Sequence, residues 1–387
     1  MNTIEIIFWL LIGLTFYAYI GYGILIWIMV KIKRLFVKSK SYNPNFLPEV
    51  TLLIAAYNEE DCIEAKIENS LSLNYPKEKL KIAFVTDGST DRTAEIISKN
   101  SAITLYHKDG RSGKMAAINR VMPLVSTPIT IYSDANAMLN ADAVREIVKH
   151  FEDEKVGVVA GEKRIMKTTG KTAEVGEGIY WKYEGFLKRL DSELYSTVGA
   201  AGELYAIRTS LFEELEADTL LDDFVLSLRI CQKGYVTAYE PNAFATETAS
   251  LNSSEELKRK IRICAGGFQS VVRMPKLLNP FKNGLLTFQY ISHRVLRWVA
   301  VPFALILILG LNISLFEYNE IYKILLFGQI LFYSMAILGF YFERAGKKVK
   351  VLYVPYYFSL MNYSALAGFK RFLNNQQKVV WEKAIRS

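Results

Sequence analysis

The feature that most limits this chain is a run near its start. Residues 6–30 (IIFWLLIGLTFYAYIGYGILIWIMV) hold no charged side chain, over slightly more than the ~20 residues that a helix needs to cross a bilayer. A backbone surrounded by lipid has to satisfy its own hydrogen bonds, so such a run is expected to fold as a transmembrane helix. A cleaved secretory signal would show a basic start, a shorter apolar stretch and a small-residue cleavage site. This run instead follows MNTIE and ends in KIKRLFVKSK, and is expected to stay attached. The cations Lys31, Lys33, Arg34, Lys38 and Lys40 place that end in the cytoplasm and the N-terminus outside, since cationic flanks stay on the cytoplasmic side.

Three further apolar runs follow near the other end, at residues 299–316, 324–342 and 351–369. The first two are separated by EYNEIYK, with two glutamates, and the last two by ERAGKKVK, with four cations. That alternation fits an outside loop followed by an inside loop. The third run also carries Ser, Asn and Tyr, which suits a re-entrant or interfacial helix as well as a span. Two to three C-terminal spans are expected, in a multi-pass protein of the cell membrane.

The net charge of +8 over 387 residues invites a nucleic-acid reading. Many of the cations flank apolar spans, where anionic headgroups account for them, and no aromatic-basic platform for single strands is visible. No nucleic-acid partner is expected. Cys62, Cys231 and Cys264 are too few and too scattered for a disulfide framework or a zinc site. His107, His150 and His293 show no metal-ligand spacing.

The chain therefore divides into residues 1–40, an N-terminal span with its basic flank; 41–283, a water-soluble domain within the usual domain size range; and 284–387, interfacial and membrane helices with a basic tail. Inside the middle segment, strand-like and helix-like stretches alternate at short intervals: VTLLIAA, EEDCIEAKIENSLSL, KIAFVTD, DRTAEIISKN, ITLYH, GKMAAINRVMPLV, PITIYSD, ADAVREIVKHF. Such alternation means crossover units and an α/β, doubly wound, mostly parallel sheet. Ligands of such sheets bind beyond the carboxyl ends of the strands. The residues at those ends are AAYNEE (55–60), TDGSTD (86–91) and SDAN (133–136), each with a carboxylate. A turn and helix cap is the plain alternative for Asp87 to Asp91; three acidic strand ends on one rim favour a ligand. No GxGxxG follows the first strand, and GRSGKM (110–115) has the wrong glycine spacing for a P-loop.

TLLIAAYNEE, VTDGSTDRT, GRSGKMAAIN, SDANAMLNADAV, GAAGELYAIR, LLDDFVLSLRICQKGY, YEPNA and RKIRICAGGFQ together resemble, in order and approximate spacing, the family 2 glycosyltransferases. These are inverting, nucleotide-sugar-dependent enzymes of the GT-A fold. The chain looks like their membrane-integrated bacterial branch, beside the cellulose, hyaluronan and poly-N-acetylglucosamine synthases. The resemblance implies that Ala56, Tyr57, Glu59 and Asp87 hold the nucleoside, with Lys114 near the uracil or phosphates. Thr86 stands where many members have an aspartate, so one nucleoside contact is expected to differ. Asp134 and Asn136 match the DxD motif and would hold Mg²⁺ or Mn²⁺ on the diphosphate. One carboxylate and one amide oxygen suit a hard cation that takes its other ligands from phosphate and water.

Asp222 and Asp223 open an amphipathic segment, where acids also stabilise a helix start. Asp223 matches the family's base, the one an inverting transfer needs within reach of the acceptor hydroxyl. Arg259 and Arg262 share a helix face after a capping box at SSEE (253–256), and would neutralise the leaving diphosphate; a basic helix on the membrane surface is the alternative. That segment aligns with the QxxRW element of the processive synthases, with Ile263 in place of Trp, which puts polymerisation in doubt. Gln269, Tyr183 and Glu184 also match positions of related members. The expected partners are a nucleotide sugar, most simply a UDP-sugar, and a glycan or lipid-linked acceptor at the bilayer. Growth of a polysaccharide and addition of a single sugar to a lipid carrier both remain open, and a non-catalytic membrane scaffold that keeps the nucleotide pocket is the alternative from another class, disfavoured by the presence of Asp87, Asp134 and Asp223.

Overall fold

The computed structural model describes residues 2–37, 41–166, 173–248, 253–345, 347 and 349–374, with backbone alone at 173–180 and 253. Lys38, Lys40 and the tail beyond Asn374 lie outside these residues. The chain packs as two compact units.

Among the described residues, one unit comprises 30–37, 41–166 and 181–248. Its strands are β1 (Val50–Ala56), β2 (Leu80–Asp87), β3 (Ile103–Lys108), β4 (Ile129–Asp134), β5 (Met138–Leu139), β6 (Val156–Ile165), β7 (Leu204–Arg208) and β8 (Val236–Glu247). They form one sheet in the order β3-β2-β1-β4-β7-β6-β8-β5. The first four strands pair in parallel, as the strand and helix alternation predicts. Val50, Leu52 and Ile54 point to one side of β1 and Thr51 and Leu53 to the other, and all are buried. An uninterrupted apolar run is what a parallel strand covered on both faces requires.

Beyond β4 the sheet becomes mixed. β7 runs antiparallel to both β4 and β6, β8 pairs in parallel with β6, and β5 closes the edge antiparallel to β8. The reversal matters for the site. Ser133 at the end of β4 pairs with Leu204 at the start of β7, so the GAAGE turn enters the same rim at which β4 ends. The parallel register brings Ala55 beside Asp134 and Ala56 beside Thr86, which aligns the three strand ends named above.

The helix Asp222–Gln232 buries Phe224, Val225, Leu226, Leu228, Ile230 and Cys231. Its first turn is seated through Gly199, whose φ is +82°; a Cβ there would fall 2.1 Å from Cδ2 of Phe224. Glycine alone tolerates both the backbone angle and the contact.

Among the described residues, the other unit comprises 2–29, 173–180, 253–345, 347 and 349–374. Among the described residues three helices are long and apolar enough to cross a membrane: Thr3–Phe36, Leu285–Ser314 and Glu320–Arg344. In the first and third only 11% of the most apolar window is buried, so most of that surface needs an apolar surrounding. Phe8, Ile308, Leu315 and Tyr322 form a small core between them. The first two of these helices contain π-helical stretches, Tyr17–Gly21 and Ile291–Ala300, joined by the Tyr17 and Ser292 hydroxyls at 2.8 Å. Helix Lys350–Leu373 covers the third apolar run and is not among the three candidates. It packs instead on helix Ser253–Arg273, with Gly368 against Cys264 and the Phe268 and Phe369 rings 5.0 Å apart.

Candidate active site

The first two strand ends are tied together by their loops. Asn58, at φ +53°, exchanges hydrogen bonds with Ser89 and Thr90. The Glu59 and Glu60 N–H groups donate to Thr93 Oγ1 and Asp91 Oδ2. Asp91 also accepts from the Thr93 N–H, so for this residue the turn-and-cap alternative is the one realised.

Asp87 has a different task. Its Oδ2 accepts the N–H groups of Ser112 and Gly113, both at 2.6 Å, pinning the loop that leads into helix Lys114–Val121. Gly88, at φ +68°, lets that loop approach: a Cβ there would lie 2.7 Å from the Arg111 nitrogen. The Arg111 guanidinium stacks 3.8 Å over the Tyr57 ring, a cation–π arrangement. A cleft of about 360 Å³ results, lined by Ala56, Tyr57, Asp87, Arg111, Gly113 and Lys114 among others. Three of the four nucleoside candidates, Ala56, Tyr57 and Asp87, thus line one cleft together with Lys114. Glu59 does not; its Oε2 accepts from Cys62 Sγ at 3.3 Å. Thr86 does not either, because β alternation turns it away from Val85 and Asp87, and its Oγ1 pairs with His107 Nδ1 at 2.7 Å.

The third strand end carries the charge. Lys114 Nζ donates to Asp134 Oδ1 at 2.8 Å and lies 3.7 Å from Asp222 Oδ2. Burial alone would push the Lys114 ammonium down, but Asp134, Asp222 and Asp223 outweigh it and hold it well above its ordinary value. Asp223 Oδ1 accepts from the Phe224 N–H at 2.8 Å. Burial and the adjacent Asp222 carboxylate push Asp223 up to about 7, against the opposing pull of Lys114 and that N–H. A Cβ on Gly202 would sit 3.5 Å from Asp223 Oδ2 and 3.8 Å from Lys114 Nζ, so the GAAGE turn approaches both groups. Tyr132 and Tyr205, stacked at 4.6 Å, line an adjoining pocket of about 230 Å³ with Lys114 and Gly202. Burial holds both phenols well above their ordinary range, Asp222 adding to the effect.

Two charged groups here escaped the sequence reading. Lys66 is fully buried and grips both ends of the Asp134–Asn136 turn, donating to Ser133 Oγ at 2.8 Å and to the Ala137 carbonyl. Burial pushes its ammonium down to about 7. Its place on the apolar face of helix Ile63–Leu71, with Ile63, Ile67 and Ser70, is a signal that helical spacing offered. Glu203 is the other: it pairs with the buried Lys163, which also binds Glu247, and its charge adds to the upward push on Asp223.

Asn136 lies in the turn after β4 and is half-buried. Asp134 Oδ2 accepts from no described protein donor, so one carboxylate oxygen and the nearby amide fit the oxygen chemistry of a hard divalent ion. Arg259 and Arg262 belong to helix Ser253–Arg273 in the other unit. In the SSEE capping box, Ser253 lies outside the described side chains. Tyr183 and Glu184 are on helix Ala173–Leu194, with Glu184 buried.

The cleft at the ends of the parallel strands, rimmed by carboxylates and one lysine, lies where doubly wound sheets bind their ligands. Residues 51–216 match the model of glycosyl transferase family 2; the chain carries a family 2 glycosyltransferase domain of GT-A fold. It is similar to poly-beta-1,6-N-acetyl-D-glucosamine synthase of Staphylococcus aureus (strain MSSA476), 27% identical over 262 residues, which are 64% of this chain and 63% of that protein. The same-named enzyme of Staphylococcus epidermidis (strain ATCC 35984) is 23% identical over 309 residues, 76% of this chain and 74% of that one. Among solved structures, the mannosyltransferase PcManGT from Pyrobaculum calidifontis, in complex with GDP-Man and Mn²⁺, superposes with a TM-score of 0.73 at 22% identity, over 96% of this chain and 99% of that one. The likeness to this structure extends the fold assignment to nearly the whole chain. The chain spans 63% of the length of the Staphylococcus aureus relative.

Proposed function

We propose that this protein is a membrane-bound inverting glycosyltransferase that moves a sugar from a nucleotide-sugar donor to a polysaccharide or lipid-linked acceptor. The observation that carries the reading is Asp223: a carboxyl raised to about 7 against the pull of Lys114, the lysine that also binds Asp134 and lines the cleft with Tyr57 and Asp87. The acceptor oxygen attacks the anomeric carbon and its proton passes to Asp223, while the bond from that carbon to the diphosphate oxygen breaks and the nucleoside diphosphate leaves. A base poised near neutrality suits proton transfer at cellular pH. Lys114 neutralises part of the leaving charge, a preorganised contribution of the kind that dominates such reactions.

Asp134 and Asn136 would hold Mg²⁺ or Mn²⁺, which supplies charge neutralisation on the diphosphate. The archaeal neighbour was captured with Mn²⁺, in keeping with a divalent requirement. That neighbour holds a guanosine nucleotide, whereas Asp87 here supports a uridine one. Its Oδ2 is taken by two backbone donors, which leaves one oxygen. The single imide N–H of uracil needs one; the paired donors of guanine are best met by a whole carboxylate. The basic flank of the first span supports a cytoplasmic catalytic unit in a multi-pass protein.

Purified in detergent with divalent cation and a panel of nucleotide sugars, the protein is expected to release nucleoside diphosphate, with UDP-sugars preferred. Asp223→Asn is expected to lose at least ~100-fold in turnover while retaining donor binding measured by calorimetry. Full turnover in that variant would overturn the base assignment. A second reading, transfer of one sugar to a lipid carrier, is favoured by Ile263 where processive synthases carry Trp. Product length from labelled donor separates the two.

A further inference from the structure

Lys114 stands at the one point where the donor, metal and base groups meet. Its backbone is fixed: the preceding Gly113 N–H is held by Asp87, and Lys114 begins the helix that buries Met115, Ala117, Ile118 and Val121. The side chain beyond is an extended four-carbon arm whose ammonium rests on Asp134 Oδ1 at 2.8 Å and near Asp222 Oδ2 at 3.7 Å. Asp222 Oδ2 is buried and accepts no hydrogen bond, so the ammonium is its nearby counter-charge.

The contact to Asp134 and a divalent ion on the same carboxylate compete. Asp134 is the only anion of the Asp134 and Asn136 pair, and the ammonium already holds one of its two oxygens. A metal on the second oxygen would stand beside the ammonium, and like charges at such separations repel. Lys66, beneath the turn, adds a further cation within reach. A diphosphate changes the balance, because its charged oxygens are stronger partners for an ammonium than a carboxylate already shared.

We infer that Lys114 is a charge gate: it holds Asp134 against divalent cations until a nucleoside diphosphate draws the ammonium away, so that the metal site is completed only by the nucleotide. This rests on the donor and metal assignment proposed above. The metal then arrives with its substrate and leaves with the nucleoside diphosphate product, and Asp134 keeps a cationic partner between turnovers.

The test is Mn²⁺ binding by the full chain in detergent, read from loss of the free-ion electron paramagnetic resonance signal, with and without UDP. The wild-type protein is expected to bind Mn²⁺ at least about tenfold more tightly with UDP than without it. Lys114→Met is expected to bind Mn²⁺ without UDP about tenfold more tightly than wild type does, and to lose most of the UDP dependence. Lys114→Arg, which keeps the charge and can pair with Asp134, is expected to keep that dependence. Equal wild-type affinity with and without UDP overturns the gate, and that measurement needs no variant. Unchanged nucleotide-free affinity in Lys114→Met also overturns it. Asp134→Ala separates the two proposals: if UDP-dependent Mn²⁺ binding survives in it, the metal assignment has failed, whereas loss of binding in it together with unchanged Lys114→Met affinity means that only the gate has failed.

Discussion

Asp222 and Asp223 are neighbours in sequence with opposite partners. Asp222 faces the Lys114 ammonium, whereas Asp223 accepts one backbone N–H and is pushed up to about 7 by burial and by Asp222 itself. Two consequences follow in the free enzyme. As a base Asp223 must be ionised, so kcat/KM is expected to rise with pH and level off above about 7; a flat profile from pH 5.5 to 8.5 contradicts the base role. For stability the sign is reversed. A carboxyl whose folded value exceeds its unfolded value contributes fully below the unfolded value near 4 and loses that contribution as pH rises through about 7. Asp223→Asn, which cannot ionise, is expected to melt close to wild type at pH 4.5 and several degrees above it at pH 8. Thermal melts in detergent at the two pH values decide this. Gly202 gives a complementary probe: an added methyl would make ordinary contacts of 3.5 Å with Asp223 and 3.8 Å with Lys114. Gly202→Ala is therefore expected to fold normally yet lose roughly tenfold in kcat through crowding of the acceptor side of the base.

At the scale of elements the site is a matter of register and loop clips. The parallel half was legible because buried strands such as VTLLIAA and PITIYSD are short apolar runs ending in polar residues, and the acidic ends fall on one rim once the strands are parallel. The mixed half was not. β7 has only the five residues LYAIR, and its direction is set by pairing with β4 and β6, a tertiary choice that leaves no mark on local periodicity. For the same reason the approach of Gly202 and Glu203 to Asp223 was hidden. Lys66 was hidden differently: its charge argues for solvent until its buried helical neighbours are counted. Removing it tests the turn that it grips. Lys66→Met is expected to leave the Ala137 carbonyl without its buried donor, at about 1–3 kcal/mol for an unsatisfied group, while Ser133 Oγ keeps its bond to the Glu203 carbonyl, and to lower both the melting temperature and the affinity for UDP with Mn²⁺. Gly88→Ala addresses the other clip. A non-glycine residue at φ +68° costs on the order of 1–3 kcal/mol, and the methyl would meet the Arg111 backbone at 2.7 Å. UDP affinity measured by calorimetry is expected to fall as the Arg111 to Lys114 loop shifts, while Asp223 chemistry on bound donor changes less.

Across the whole molecule, charge and apolar surface are arranged for a bilayer. The first span ends with Lys33 and Arg34 in its last turn, and these contact Glu193 and the Leu194 carbonyl within the catalytic unit. The cationic flank is thus bound to the domain that follows it, and a cytoplasmic flank requires a cytoplasmic domain. Leu124 is 61% exposed on that unit, while Cys231 and Cys264 are buried and Cys62 is half-buried. A membrane-impermeant maleimide is therefore expected to leave Leu124→Cys unlabelled in intact cells and to label it, well above the parent protein, in inverted membrane vesicles. Labelling in intact cells would put the catalytic unit outside, where no cytoplasmic nucleotide sugar reaches it, and would force a different donor supply on the same fold.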